Sequence, residues 1–96
     1  VILPKSVKEI RSYAFNYSTV RKIDIGSEIE VLGEKSLADL LDLDTLIIRA
    51  TTPPLAGQNF FLNSGSEKFV FLVPKESLDA YKTHKEFSKL KPKSLN

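Results

Sequence analysis

The chain has 96 residues, a formal net charge of +2, 42% hydrophobic and 27% charged residues. This is the composition of a folded domain and not of a disordered segment. The absence of cysteine excludes disulfides and thiolate chemistry, and no apolar run reaches the length of a membrane span. Because the chain has no methionine, even at position 1, we expect it to start inside a longer protein.

The first recurring element is a short alternating segment that ends in a bend. Its apolar pairs are Val1 and Leu3 before Pro4, Ile23 and Ile25 before Gly26, Leu46 and Ile48, and Phe71 and Val73 before Pro74. From Leu3 to Ile25 the step is 22 residues, from Ile25 to Ile48 it is 23, and from Ile48 to Val73 it is 25. Alternation of this kind predicts strands with one face in the core.

A second set of residues keeps the same step. Val7 corresponds to Ile29, Ile10 to Leu32, Val20 to Leu43, and Phe15 to Leu37 and then Phe60. "SVKEI", residues 6–10, therefore reads as a second short strand. "SYAF" at 12–15 and "KSLADLL" at 35–41 predict a helical turn on the outer side, with the aromatic or leucine position in the core.

A unit of this length cannot bury its own apolar face, whereas stacked copies cover one another. The sequence therefore predicts an α/β repeat fold, a solenoid of about three coils with short parallel strands. Its units are 3–25, 26–48 and 49–73 within a repeat domain 1–74. Residues 75–96 form a C-terminal capping helix and tail.

The predicted cap is "PKESLDAYKTHKEF", residues 74–87. Pro74 is tolerated at a helix start. Leu78 and Tyr81 are three residues apart on one helix face, and Phe87 and Leu90 extend that apolar cover. Such a cap is needed because an open stack leaves the last coil bare.

Four phrases resemble the BspA-type leucine-rich repeats found on the surfaces of gut and oral anaerobic bacteria. They are "LPKSVKEIRSYAF", "VRKIDI", "ATTPPL" and "FLVPKESLDAYKTHKEFSKL". The last two are similar to the C-terminal end of such proteins, although Phe87 stands where the family usually has tryptophan. "EKSLADLLDLD", residues 34–44, also departs from the family pattern. The resemblance implies a right-handed leucine-rich-repeat solenoid.

The same resemblance implies a cell-surface or secreted bacterial protein that acts in adhesion, without enzyme activity or a cofactor. Its expected partner is a host or bacterial surface protein or a matrix component, and self-association is a further option. The alternative function is structural: these coils terminate a longer solenoid whose upstream repeats bind the ligand. An enzyme is a third hypothesis.

Few residues carry chemistry on their own. A catalytic triad would require His84, the only histidine, and we expect that side chain to be solvated. The spacing of the three acidic residues Asp39, Asp42 and Asp44 is not that of a calcium-binding loop. We therefore expect these side chains on the solvent-exposed side of a loop and predict no metal site. "NSGSEK", residues 63–68, reads as a flexible loop.

The excess positive charge lies near the end of the chain. The lysines there are Lys82, Lys85, Lys89, Lys91 and Lys93. They have no interleaved arginine and only one aromatic residue, so we expect a solvated terminus that binds neither nucleic acid nor membrane.

Two short patterns match modification signals. Asn16–Ser18 fits the N-glycosylation acceptor pattern, which has little meaning in a bacterial protein. "DTL" at 44–46 resembles the O-glycosylation pattern of the same bacterial group, and makes Thr45 a candidate acceptor.

The candidate binding face consists of strand residues that point away from the predicted core. One row is Ile2, Asp24, Ile47 and Leu72, and the neighbouring row is Lys22, Thr45 and Val70. Towards the C-terminal end these rows become apolar, and exposed apolar patches commonly mark interaction sites. The alternative is that the segment after Phe87 folds back over the patch.

Overall fold

The computed structural model describes residues 1–15 and 19–95, so the Asn16–Ser18 pattern lies outside the described residues. The strands there are β1 (Glu9–Ile10), β2 (Lys22–Ile25), β3 (Val31–Leu32), β4 (Thr45–Ile48), β5 (Leu55–Ala56), β6 (Val70–Val73) and β7 (Lys93–Ser94). Between β6 and β7 lie a first 3₁₀ helix (Lys75–Ser77), the α-helix α1 (Leu78–Thr83) and a second 3₁₀ helix (Phe87–Leu90).

Strands β1 to β6 alternate between two parallel sheets, and β7 joins the sheet of β6. One sheet has the order β1-β3-β5 and the other β2-β4-β6-β7. Ile10 pairs with Leu32 and Ile25 with Ile48, which confirms the equivalences read from the sequence at those positions. The α/β class with short parallel strands is also confirmed.

The core lies between the two sheets. Strand residues that face inward are buried because both sheets and the connecting turns cover them, except Ala56 of β5, which is half-buried. The buried cluster includes Ile10, Ile23, Ile25, Leu32, Leu37, Leu40, Leu43, Leu46, Ile48, Phe60, Phe71, Val73, Tyr81 and Phe87. The period-two alternation of β2 and β4 therefore predicted correctly which side chains enter the core.

The predicted helical turns are wrong. Residues 12–15 and 34–39 form turns, with several backbone hydrogen bonds that run three residues back. Tyr13, Lys35 and Asp39 have φ angles of 64°, 52° and 61°. A left-handed residue interrupts a right-handed helix, so the chain reverses at these positions instead of continuing as a helix.

The predicted stack of Phe15, Leu37 and Phe60 is only partly buried. Leu37 and Phe60 belong to the buried cluster, and Phe15 packs against it but remains half-exposed. The backbone N–H of Phe15 donates to Ser36 O at 3.3 Å, and that of Leu37 donates to Phe60 O at 2.8 Å.

The predicted capping helix is divided into two pieces. Helix α1 ends at Thr83 because His84 is extended (φ −72°, ψ 134°), and the second 3₁₀ helix follows. Tyr81 and Phe87 are nevertheless fully buried. Their rings lie 5.8 Å from that of Phe71 between centroids, so the helical segment packs against the core beside β6.

The chain after the second 3₁₀ helix adds a strand to the larger sheet. Lys91 is left-handed (φ 53°, ψ 63°), and β7 then pairs with β6 through Leu72 and Lys93. The C-terminal segment thus lies beside β6 at the sheet edge. Among the helices of the described residues, none combines the length and apolar character needed to cross a bilayer.

Candidate functional site

The candidate site is the outer face of the four-stranded sheet, meaning the strand residues that point away from the core. The register places Asp24, Ile47, Leu72 and Lys93 in one row, with Ile2 bridged to Asp24. It places Lys22, Thr45 and Val70 in the neighbouring row. The structure therefore brings together every residue that the sequence assigned to this face.

These residues differ widely in exposure. Ile2 is 79% exposed and Lys22 is exposed, whereas Ile47 is only 5% exposed. Thr45, Val70 and Leu72 are half-buried. The expectation of an exposed apolar patch that includes Ile47 is wrong, because this residue lies in the middle of the sheet between Asp24 and Leu72. The exposed apolar surface of this face is concentrated at Ile2.

Arg49 is the residue of this face that the sequence analysis missed. Its Nε donates to Asp24 Oδ1 at 2.8 Å and its Nη2 donates to Asp24 Oδ2 at 2.9 Å. This is a bidentate, charge-assisted arrangement. The only sequence signal was position: Arg49 lies two residues after Ile47 and directly after β4, the strand that pairs with the strand of Asp24.

The ion pair changes the acidity of both groups. The hydrogen bond from Arg49 lowers the pKa of Asp24 below its ordinary value, and partial burial opposes this shift only in part. The same hydrogen bond raises the pKa of Arg49. Both side chains are therefore charged at neutral pH and hold each other in one orientation.

A cavity of about 370 Å³ lies beside this ion pair. Its wall includes Ile2, Leu3, Lys5, Asp24 and Arg49. The cavity thus joins an apolar wall to a fixed pair of charges. That combination suits a protein surface that offers one apolar and one polar group, since interfaces place such contacts side by side.

His84 has a structural role that the sequence did not reveal. Its Nδ1 accepts hydrogen bonds from the backbone N–H groups of Glu86 at 3.0 Å and Phe87 at 3.3 Å. Its ring lies 4.7 Å from that of Phe87. The expectation of a solvated histidine is therefore wrong, because the ring holds the start of the second 3₁₀ helix.

The acidic cluster is not arranged as a metal site. In residues 1–15 and 19–95 no group of three or more His, Cys, Asp or Glu side chains is placed to hold a metal ion. Asp42 is exposed. Asp44 accepts a hydrogen bond from the hydroxyl of Ser66, and Asp39 accepts one from Asn63 at 3.4 Å.

The serines of residues 63–68 connect that segment to the preceding turn. Ser64 Oγ accepts a hydrogen bond from the backbone N–H of Leu40 at 2.9 Å and donates to the carbonyl of Leu37. Ser66 donates to Asp44. The segment expected to be a flexible loop is therefore fastened by side-chain hydrogen bonds. Serine hydroxyls commonly satisfy turns in this way, but the sequence does not specify their partners.

Thr45 is half-buried between Lys22 and Val70 on the outer face. Its modification by an O-glycan stays a prediction.

A scan of family models gives no match to this chain. No curated protein is significantly similar to it in sequence.

Proposed function

We propose that this chain is a non-enzymatic binding module and that the outer face of its four-stranded sheet contacts a protein partner near Ile2. The observation that carries the proposal is the Asp24–Arg49 ion pair beside this exposed apolar side chain. The pair is already ordered in the free chain, so a partner meets a fixed polar group without the cost of ordering it.

The repeat interpretation supports this proposal. Pairing steps of 22 residues between Ile10 and Leu32 and of 23 between Ile25 and Ile48 fit about three coils of a right-handed leucine-rich-repeat solenoid. Solenoids of this kind present one sheet as an extended binding surface. An experimental structure with a left-handed crossover between β2 and β4 would reject this handedness.

The resemblance to BspA-type repeats supports a more specific version. It favours a bacterial cell-surface or secreted protein whose partner is a host or bacterial surface protein or a matrix component. Self-association through the same face is the other form of this proposal. Binding screens against purified extracellular-matrix proteins and bacterial surface extracts, together with sedimentation of the chain alone, distinguish the two.

The decisive variants change the exposed end of the outer face. Ile2→Glu with Lys22→Glu should abolish binding to any matrix or surface partner found, because it introduces repulsive charge where the contact forms. The matched control is Leu55→Glu with Lys8→Glu, which alters exposed residues beside the three-stranded sheet. Equal loss of binding in both double variants would reject the outer face as the site.

The alternative function is a structural terminator of a longer solenoid. It is favoured by the helical segment after β6, because the buried rings of Tyr81 and Phe87 pack against Phe71 as an end cap of a solenoid would. Binding by a longer natural protein and not by this chain would favour the terminator, whereas binding by both favours the module.

A further inference from the structure

A basic cleft lies between residues 61–70 and the C-terminal segment 89–93. It has a volume of about 320 Å³. Three lysines line it: Lys89, Lys91 and Lys93. Among the described residues, no aspartate or glutamate shares this lining. The cleft shares Val70 and Lys93 with the outer face but none of Ile2, Asp24 and Arg49, so an inference about it does not rest on the proposed function.

The local fold brings the three lysines to one cleft. Lys89 belongs to the second 3₁₀ helix, and Lys91 takes the left-handed conformation directly after it. This residue redirects the chain so that Lys93 enters β7 alongside Leu72 of β6. All three cations therefore lie in the lining of one cleft.

The positive charge of the cleft is largely uncompensated. Lys89 forms an ion pair with Glu86 at 3.6 Å, and its side chain remains 67% exposed, so this surface contact is weak. Within the described residues, Lys91 and Lys93 form no ion pair. The spacing of these charges within one small cleft raises the local concentration of anions.

The floor of the cleft is apolar. The rings of Phe61 and Phe69 lie 5.0 Å apart between centroids and are tilted by 44°, and Leu90 lies beside them in the lining. Because the two phenylalanines are half-buried and packed on each other, they form a wall and not a pair of free stacking platforms. The cleft therefore suits a ligand with both anionic groups and an apolar face.

A second cavity of about 200 Å³ continues the cleft. It shares Phe61, Lys89 and Leu90 with the first and adds the amide of Asn59 and the carboxylate of Glu86. An amide and a carboxylate are suitable partners for hydroxyl groups. The two cavities together offer an anion site next to a hydroxyl site, with Phe61 and Leu90 common to both.

We propose that this double cleft binds an acidic oligosaccharide in which an anionic sugar alternates with a neutral one. The carboxylate or sulfate of one sugar lies among Lys91 and Lys93, and hydroxyl groups of the next bond to Asn59 and Glu86. A nucleic acid or a polyglutamate segment carries charge on every unit, so it would place an anion against Glu86. Nucleic acid also needs free aromatic faces for its bases, which the packed phenylalanines do not provide.

The test is titration calorimetry of the full chain with a hyaluronan oligosaccharide, in which glucuronate alternates with N-acetylglucosamine. The matched ligand is the same oligosaccharide with its carboxylates reduced to alcohols. We expect binding of the acidic form only, with an affinity that falls as salt is added. Lys91→Gln with Lys93→Gln should weaken binding by about tenfold or more.

The control variant is Lys82→Gln with Lys85→Gln, which removes the same charge from exposed lysines outside both cavities. It should bind like the parent, and circular dichroism melts check that both double variants fold. The proposal is overturned if neither oligosaccharide binds, if the reduced form binds equally, or if both double variants lose affinity alike. Equal or tighter binding of a single-stranded oligonucleotide or polyglutamate of matched length also overturns it.

Discussion

The hydroxyl of Tyr81 donates a hydrogen bond to the backbone carbonyl of Ala50 at 2.8 Å, across 31 positions of the chain. The bond joins helix α1 to the segment that follows β4. Tyr81 is fully buried, and its ring meets that of Phe71 edge-on. Burial raises the pKa of Tyr81 well above its usual range, so the phenol keeps its proton and remains a donor at neutral pH.

The first prediction concerns this bond. Tyr81→Phe keeps the ring packing but leaves the carbonyl of Ala50 without its partner, and we expect a loss of about 1–3 kcal/mol in the free energy of unfolding. Urea denaturation followed by circular dichroism measures it. Tyr81→Ala should cost more, because it also removes the ring from the core. A Tyr81→Phe midpoint equal to that of the parent would show that the bond does not contribute to stability.

Strand positions and their register could be predicted from the sequence because both produce a regular spacing of apolar residues. Within a strand every second residue is apolar, and between paired strands equivalent residues recur at similar intervals. Ile23 and Ile25 alternate with Lys22, Asp24 and Gly26, and the pairing of Ile25 with Ile48 follows from a step of 22 to 23 residues between equivalent positions. Such patterns arise because strands paired in one sheet bury equivalent positions. The burial of Tyr81 and Phe87 was predictable for a related reason: both are large aromatic residues placed shortly after β6.

The turns and the polar contacts could not be predicted in the same way. Tyr13 and Lys35 adopt left-handed backbone angles without being glycine or asparagine, so their residue type gives no signal. The bond between Arg49 and Asp24 depends on where a long side chain reaches across two strands. The burial of Ile47 depends on its neighbours on both sides, which alternation along one strand does not describe.

The second prediction ranks Phe60 and Phe15, two members of the stack with Leu37, by their contribution to the free energy of unfolding. Phe60 is buried and Phe15 is half-exposed at the end of the stack. Phe60→Ala should therefore cost about 3–5 kcal/mol. Phe15→Ala should cost clearly less than that range, which is typical of complete burial. Chemical denaturation of both variants decides the order, and a larger loss for Phe15→Ala would mean that this end of the stack is more enclosed than the structure indicates.

The third prediction concerns the loss of stability at low pH that arises from Asp24. The pKa of Asp24 is lowered in the folded chain, so the unfolded state binds its proton at a higher pH than the folded state does. The stabilisation from this group is therefore complete above the unfolded pKa of about 3.9 and is lost as pH falls through the lower folded value. Thermal melts from pH 6 to pH 2 measure this loss.

The comparison variant for the acid series is Asp24→Asn, which cannot release a proton in this range. Its stability should fall less steeply below pH 4 than that of the parent. Asp42→Asn is the matched control, because Asp42 is exposed, and it should keep the parental slope. Parallel curves for the parent and Asp24→Asn would contradict the assignment of the ion pair as the source.

The fourth prediction concerns a buried hydroxyl. Ser36 is fully buried, and its Oγ has no hydrogen-bond partner within the described residues. Ser36→Ala removes that unpaired group and should leave stability unchanged or raise it by up to about 1–3 kcal/mol. Ser36→Val adds volume to a filled core and should lower the melting temperature. A marked loss in Ser36→Ala would reveal a partner for the hydroxyl.

The fifth prediction separates burial from binding on the outer face. Ile47 is 5% exposed, so Ile47→Glu forces a carboxylate into an enclosed position next to Asp24, its neighbour in the register. The new carboxylate would meet the like charge of Asp24, whose partner Arg49 is already engaged in the existing ion pair. We expect a loss of several kcal/mol in the free energy of unfolding or complete loss of the thermal transition.

Leu72→Lys is the matched substitution in the same row. Leu72 is half-buried beside β7, and a lysine there can extend its ammonium group to solvent while its aliphatic part covers the sheet. This variant should melt close to the parent. Thermal melts of the two single variants test the difference.

If Ile47→Glu melts like the parent, the centre of the face is open to solvent and the apolar row is available to a partner after all. If both variants lose the transition, Leu72 is as enclosed as Ile47, and contact with a partner must then rely on Ile2 and Lys22 at the exposed end of the face.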